Sequence, residues 1–258
     1  MSYKSDIERH IYELKVLGFT IIENVVPQST ITKMKKLIDK GLVEDSLRYS
    51  KFPSKKNDLI VDLVSLNIEF LEVIENDIFF SFIEKILGDD AILYSFTSTI
   101  LRPKIIDDVQ QIHVDSYKFI QNYDHGLLAT IALDDFFTDN GATLYLPGSH
   151  NFPYKPDELT FDRYSVSTSR KAGDVIFFNP RVWHKAGYNN TESIRYAITA
   201  YFTKSFIKQR FDFPKMLDFN DLNNISEKML VLLGFNSCPP ESVENYYLPL
   251  KERKFKRG

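Results

Sequence analysis

The chain has 258 residues, 43% of them hydrophobic and 14% aromatic, with 21 Phe and 14 Tyr. This composition provides a sizeable core, and the length is compatible with one large domain. A formal net charge of −3 argues against a nucleic-acid partner, because such proteins need a basic surface. The sequence has one cysteine, no signal-peptide pattern and no apolar run near 18 residues. We therefore expect a cytoplasmic protein that does not associate with membranes.

The first third of the chain has mainly helical patterns. Apolar residues recur at helical spacing before Gly18 and again after Pro27, and a strand pattern separates the two. We predict a helix over Asp6–Leu17, a strand over Phe19–Val26, a helix from Pro27 to about Lys40 that ends at Gly41, a polar loop over Leu42–Asn57, and two helices over Leu59–Gly88 that separate near Asn76.

From Ala91 onward the pattern changes to short strands separated by turns such as Asn140-Gly141 and Ala172-Gly173. Eight strands are predicted, over Ala91–Leu101, Asp108–Val114, Leu127–Leu133, Thr143–Leu146, Tyr164–Ser169, Asp174–Phe178, Trp183–Lys185 and Ile194–Thr203. Their number and even spacing are typical of a jelly roll. The expected fold class is mainly β with flanking helices: a double-stranded β-helix (jelly roll, cupin-like) core with the N-terminal helices packed on one sheet.

No repeat or flexible linker marks a second domain, so we predict one domain over residues 1–258. Its parts would be a helical N-terminal third at about 1–90, a jelly-roll core at about 91–205 and a C-terminal extension at about 206–258. One further helix is predicted in the extension, near Asp221–Leu233.

A candidate metal site comes from two separate stretches. His113 and Asp115 are two residues apart in a strand pattern, which places both side chains on one face. His184 follows another buried strand and can complete a set of two histidines and one carboxylate. This facial set leaves three metal positions open and is typical of non-haem Fe(II) oxygenases.

Arg195 lies eleven residues after His184, in a strand pattern beside apolar Ile194 and Ala197. Burying an unpaired charge is costly, so an arginine in such a strand needs a partner. The planar guanidinium suits the free end of a dicarboxylate, which predicts a binding site for a dicarboxylate co-substrate next to the metal.

With these residues the chain resembles the phytanoyl-CoA dioxygenase-like (PhyH) family of Fe(II)/2-oxoglutarate-dependent oxygenases. The resemblance spans roughly residues 10–205. It rests on Gly18–Val26, His113-Val-Asp115, the run Leu128–Ala142 with its Leu-Asp-Asp and Asn-Gly-Ala, Leu146-Pro-Gly-Ser-His150, Ala172–Phe178, His184–Asn189 and Arg195.

The resemblance implies three cofactors or co-substrates: Fe(II), 2-oxoglutarate and O2. It implies that His113, Asp115 and His184 are the metal ligands and that Arg195 binds the C5 carboxylate of 2-oxoglutarate. The implied reaction is hydroxylation of an unactivated C–H bond in a small-molecule metabolite, with release of succinate and CO2.

Four polar residues are candidate helpers in co-substrate binding. Gln111 shares a strand face with His113 and Asp115, and can hydrogen-bond the co-substrate or a ligand. Thr97 and Thr99 lie on the preceding strand pattern. Thr199 can supply a hydroxyl that the family often carries two residues after the distal histidine, where this chain has alanine.

The loops near the strand ends combine aromatic and basic residues, which favours a small polar or anionic substrate. Tyr117, Lys104 and Arg181 are the candidate substrate-binding residues. The oligomeric state has no signature in the sequence.

Three alternatives stay open. The first is a non-catalytic jelly-roll protein that binds a ligand or metal, although such a protein has no need for both Asp115 and Arg195. The second is an oxygenase acting on a protein. The third is a metal-dependent cupin-type enzyme without 2-oxoglutarate, whose sites usually use more histidines at closer spacing.

Overall fold

In a computed structural model of the chain, the described residues are 3–52, 58–106, 108–218, 222, 225–249 and 252. The α-helices are α1 (Tyr3–Leu17), α2 (Gln28–Tyr49), α3 (Leu63–Leu66), α4 (Asp77–Leu87), α5 (Glu158–Tyr164), α6 (Phe213–Met216), α7 (Glu227–Leu232) and α8 (Val243–Tyr247). Short 3-10 helices span Ile68–Val73, Asp108–Gln110 and Ser149–Asn151.

The strands are β1 (Phe19–Ile22), β2 (Leu59–Ile60), β3 (Ile92–Leu101), β4 (Gly126–Ala132), β5 (Leu144–Tyr145), β6 (Val166–Ser167), β7 (Val175–Phe178), β8 (His184–Lys185) and β9 (Arg195–Thr203). They form a six-stranded sheet in the order β1-β7-β4-β9-β3-β2 and a three-stranded sheet in the order β6-β5-β8. All pairings are antiparallel. The prediction of a mainly β, jelly-roll core is confirmed.

The larger sheet packs its outer face on the N-terminal helices. Every second residue of a strand points toward these helices. One of them is Phe177, whose ring stacks on Phe82 of α4 with the ring centroids 4.5 Å apart. Ile31 and Met34 of α2 belong to the same buried cluster. Asn76 is the N-cap that starts α4, because its side chain accepts hydrogen bonds from the backbone N–H groups of Ile78 and Phe79.

The opposite face of the larger sheet carries Arg195 and the threonines predicted as helpers. Register pairs Leu101 with Arg195, Thr97 with Thr199 and Thr130 with Thr199. Because directly paired residues point to the same side of a sheet, these side chains line the interior between the two sheets.

The prediction of a loop over Leu42–Asn57 is wrong for the residues up to Tyr49, because α2 continues through Gly41 and ends at Tyr49. The buried residues of α2 keep a spacing of three and four: Ile31, Met34, Ile38, Gly41 and Asp45. A Cβ at position 41 would lie 2.3 Å from Leu66 Cδ2. The glycine therefore permits close packing within the helix and does not end it. Residues 53–57 of the predicted loop lie outside the described residues.

Other elements are shorter than predicted. The strand over Phe19–Val26 ends at Ile22, and the region before Asn76 forms β2, α3 and a 3-10 helix where one longer helix was predicted. In the C-terminal prediction, Glu227–Leu232 is helical, and positions 221, 223 and 224 lie outside the described residues. Within the described part of the chain, no helix has the length and apolar character that crossing a bilayer requires.

Candidate metal centre

The backbone brings the two candidate histidines together. His113 and His184 form an isolated antiparallel bridge in which each N–H donates to the other's carbonyl oxygen, both at 3.0 Å. The strand predicted over Asp108–Val114 is otherwise wrong, since Asp108–Gln110 is a 3-10 helix.

The bridge does not extend into a ladder because the next N–H groups donate elsewhere, Asp115 N–H to the Pro180 carbonyl and Ala186 N–H to the Val109 carbonyl. Continued pairing would use the carbonyl oxygens of Gln111 and Val182. The Gln111 carbonyl instead lies 2.8 Å from His113 Nδ1, and the Val182 carbonyl lies 3.0 Å from His184 Nδ1. These contacts fix both imidazole rings with Nδ1 as the donor. Nε2 of each ring is left as the available ligand atom.

Asp115 completes the cluster. One candidate ligand atom from each of His113, Asp115 and His184 lies within 4.8 Å of the others. His184 Nε2 is 3.5 Å from Asp115 Oδ2. The Asp115 backbone is held by its N–H, which donates to the Pro180 carbonyl at 3.0 Å. The spacing and the donor types fit a divalent metal that prefers imidazole and carboxylate ligands.

The environment of His184 favours its metal-binding form. Burial lowers the pKa of His184, and the neighbouring His113 lowers it further, while the Asp115 carboxylate opposes them. The ring stacks on Tyr145, with centroids 5.3 Å apart, and meets the edge of Phe178 at the same distance. A neutral imidazole is the form that binds a metal, so this enclosure prepares the ligand.

Arg195 is buried beside this centre, with 5% of its surface exposed. Its Nη1 donates to the Gly141 carbonyl, its guanidinium carbon lies 4.0 Å from the centroid of the Phe136 ring, and Nε has no hydrogen-bond partner. Burial, and then the charge of Arg170, lower the pKa of Arg195 to about 9, which leaves it cationic at neutral pH. The predicted burial of Arg195 is thus observed, and among the described residues it has no acidic partner within salt-bridge distance.

Sequence reasoning missed a second buried arginine, Arg170, which is also 5% exposed. Its guanidinium carbon lies 4.0 Å from the same Phe136 ring. The one available signal was a charged residue between the strand pattern Tyr164–Ser169 and the Gly173 turn, and nothing in that pattern tells an inward arginine from an outward one.

The threonines predicted as helpers lie on the inner face of the larger sheet. Thr199 Oγ1 is 3.0 Å from Thr130 Oγ1, and Thr97 Oγ1 donates to the Thr199 carbonyl at 3.5 Å. Thr99 lies opposite Ala197 in the register. Gln111 differs, because its side chain is exposed and its carbonyl group orients His113.

The three candidate substrate residues lie in different surroundings. Tyr117 is 80% exposed. Lys104 forms an exposed ion pair with Glu192. Arg181 is buried and donates to the carbonyl oxygens of Ser116 at 3.2 Å and Phe152 at 2.9 Å. Their role in substrate binding stays a prediction.

A polar group next to Asp115 was also not predicted. Ser116 Oγ lies 2.9 Å from His125 Nε2, and His125 is buried. Tyr201, on the inner face of β9, also interacts with Ser116; burial raises the pKa of Tyr201 to about 12. The signal was weak, because His125 lies twelve residues from His113 in a loop.

A jelly roll that holds two histidines and a carboxylate beside a buried arginine is the arrangement of non-haem iron oxygenases. A family model described as Phytanoyl-CoA dioxygenase (PhyH) matches residues 15–197. The chain belongs to this family, whose members use Fe(II), 2-oxoglutarate and O2, and it is an enzyme of the Fe/2-oxoglutarate dioxygenase superfamily.

Among proteins of similar sequence is the uncharacterized protein Rv1501 of Mycobacterium tuberculosis, 27% identical over 254 residues, which cover 95% of this chain and 93% of the relative. Dioxygenase sphC of Aspergillus fumigatus is 24% identical over 200 residues, which cover 73% of this chain and 54% of that protein.

Two solved structures share the fold. HygX from Streptomyces hygroscopicus, crystallised with nickel and 2-oxoglutarate, has a TM-score of 0.61 at 14% identity, covering 78% of this chain and 88% of its own. The epimerase SnoN in complex with Fe3+, alpha ketoglutarate and nogalamycin RO has a TM-score of 0.61 at 17% identity. The match covers 84% of this chain and 91% of the SnoN chain.

Proposed function

We propose that this protein hydroxylates an unactivated C–H bond of a small-molecule metabolite, using Fe(II), 2-oxoglutarate and O2 and releasing succinate and CO2. The observation that carries the proposal is the convergence of His113, Asp115 and His184 within 4.8 Å. Both imidazole Nδ1 atoms contact backbone carbonyl groups, so the two Nε2 atoms remain for one metal.

In this proposal the Nε2 atoms of His113 and His184 and the carboxylate of Asp115 hold Fe(II). When bound, Fe(II) with 2-oxoglutarate and O2 supplies the oxidising power for C–H cleavage, which no side chain of the protein provides. Arg195 would bind the C5 carboxylate of 2-oxoglutarate, with its unpartnered Nε as one donor. Thr97, Thr99 and Thr199 line the same interior face, from which their hydroxyl groups would hydrogen-bond the co-substrate.

The remaining residues position these groups and exclude water. Tyr145 and Phe178 cover two sides of the His184 ring. The carbonyl groups of Gln111 and Val182 hold the imidazoles in one tautomer and orientation. Asp115 is more exposed than His184 and therefore marks the open side of the centre, from which the substrate enters.

The test is an anaerobic titration of Fe(II)-loaded protein with 2-oxoglutarate, monitored by the visible metal-to-ligand charge-transfer band. The wild-type protein should develop the band, and His184→Ala should lose it because one of the three ligands is removed. His150→Gln is the matched control: His150 contacts the Lys15 carbonyl outside the centre, so this variant should keep the band.

A folded wild-type protein without the band would contradict the proposal and leave a jelly-roll binding protein as the better account. The reaction outcome requires a second measurement on substrate candidates. Hydroxylation adds the mass of one oxygen atom to the product, whereas epimerisation, the reaction named for SnoN, leaves the mass unchanged.

A further inference from the structure

Arg170 faces the same interior as Phe136. The two residues form an isolated antiparallel bridge, with Phe136 N–H donating to the Arg170 carbonyl at 2.7 Å and Arg170 N–H donating to the Phe136 carbonyl at 3.1 Å. Residues paired in this way point to the same side. The Arg170 side chain is therefore held next to the ring that Arg195 also contacts.

The donors of Arg170 are only partly used. Nη1 donates to the carbonyl oxygen of Thr168 at 3.2 Å and to its Oγ1 at 3.0 Å, whereas Nε and Nη2 are buried without a partner. Nε and Nη2 form one edge of the planar guanidinium fork, the edge that matches the two oxygens of a carboxylate. The unpartnered atoms are thus the pair that can bind a carboxylate in a bidentate manner.

Carboxylates of the protein nearby have other partners. Asp174 accepts from the backbone N–H groups of Asn24 and Lys171. Asp134 pairs with Lys35. Among the described residues, neither Arg170 nor Arg195 has a carboxylate within salt-bridge distance. Two buried cations that share one aromatic ring therefore lack an anion, which is costly unless a ligand supplies it.

Tyr145 connects this pair to the candidate metal centre. It stacks on the His184 ring, and its phenol lies within electrostatic range of both guanidiniums and of Asp115. Tyr145 therefore places both arginines near the candidate metal centre, where the proposed function puts 2-oxoglutarate through Arg195.

We propose that Arg170 is a second guanidinium of the co-substrate pocket and that it acts with Arg195 to select an oxo acid carrying a distal carboxylate. This inference rests on the proposed function. A carboxylate within range of two buried cations gains attraction from both, because a low-dielectric pocket screens charge poorly. An oxo acid of equal length without that carboxylate gains from neither.

The test measures the Kd of Fe(II)-loaded protein by anaerobic titration calorimetry, for 2-oxoglutarate and for 2-oxopentanoate, which lacks the distal carboxylate. Arg170→Met should weaken 2-oxoglutarate binding by about tenfold or more, as expected for the loss of a buried charge pair, and leave the Kd of 2-oxopentanoate within about twofold. Arg163→Met is the matched control, since Arg163 lies near Tyr164 on the surface helix α5; it should change neither Kd.

Arg170→Lys keeps the charge but removes the fork, so its 2-oxoglutarate Kd should fall between those of wild type and Arg170→Met. If Arg170→Met does not fold, Arg170→Lys is used in its place. An unchanged preference of that variant for 2-oxoglutarate over 2-oxopentanoate overturns the inference. Equal weakening of both ligands would show that Arg170 only supports packing, which also overturns it. Wild-type protein that does not bind 2-oxoglutarate would contradict the proposed function itself.

Discussion

Arg195 shows how a single residue connects the fold to the chemistry. It is the first residue of β9 and pairs with Leu101 across the sheet, so its side chain enters the interior. The Gly141 carbonyl and the Phe136 ring hold the guanidinium in place. A cation held in this way is preorganised for a carboxylate, since little rotamer entropy remains to be lost on binding.

Arg195→Ala should weaken 2-oxoglutarate binding by roughly 2–4 kcal/mol, the usual cost of removing one partner from a buried charge pair. Anaerobic titration of the Fe(II)-loaded variant would measure this as a higher Kd. The affinity for Fe(II) without 2-oxoglutarate should stay near the wild-type value, because Arg195 is not one of the three candidate ligands. An unchanged Kd for 2-oxoglutarate would remove Arg195 from the co-substrate pocket.

At the scale of elements, the turn before β7 is hydrogen-bonded to the segment between β1 and α2. Gly173 has a φ of +97°, and its carbonyl oxygen accepts from the N–H groups of both Val25 and Val26 at 3.0 Å. A Cβ at position 173 would lie 2.6 Å from the Val26 carbonyl oxygen. The turn therefore requires glycine for two reasons, its backbone conformation and the close approach of another backbone segment.

Gly173→Ala should lower the free energy of unfolding by the cost of positive φ, about 1–3 kcal/mol, plus a steric term of about 1–3 kcal/mol. Gly88→Ala separates the two contributions. Gly88 also has a φ of +97°, but the nearest atom to its added Cβ is the Asp90 side-chain oxygen at 3.3 Å. Urea unfolding of both apoprotein variants should show the larger loss at Gly173, and equal losses would show that the contact with Val26 relaxes without cost.

At the scale of the whole molecule, four of the five histidines are enclosed in different parts of the structure. Burial is the main cause that lowers the pKa of His10, His125, His150 and His184. In the unfolded chain these groups take up protons near the ordinary histidine value of about 6.5. Below that pH the unfolded state binds more protons than the folded state.

The free energy of unfolding of the apoprotein should therefore fall as the pH is lowered from about 7.5 to 5.5, with each proton taken up on unfolding adding about 1.4 kcal/mol per pH unit to the slope. Urea unfolding at several pH values, with a chelator present, would measure this dependence of the free energy of unfolding on pH. His10→Gln should flatten the dependence, because it replaces one buried titrating ring while keeping a polar group beside Thr20. Stability that rises on acidification would contradict this account.

Local signals in the sequence were enough for the fold class and for the candidate ligands. Alternation and turn residues predicted β3, β4 and β9 to within a residue or two, since their periodicity reflects which face is buried. The types and order of His113, Asp115, His184 and Arg195 predicted the chemistry, because few metals and ligands suit that combination.

Tertiary structure alone decided the rest. The backbone around His113 departs from a strand because the N–H groups of Asp115 and Ala186 donate to Pro180 and Val109, outside the ladder that the sequence predicted. Arg170 joins Arg195 at Phe136 although these three residues lie far apart in sequence. Helix α2 passes through Gly41, where Leu66 packs so closely that a Cβ would lie 2.3 Å from its Cδ2. The sequence by itself determined the residue types and their periodicity, which are local properties. Which buried groups share one pocket depends on contacts between distant segments, and those exist only once the sheets have formed.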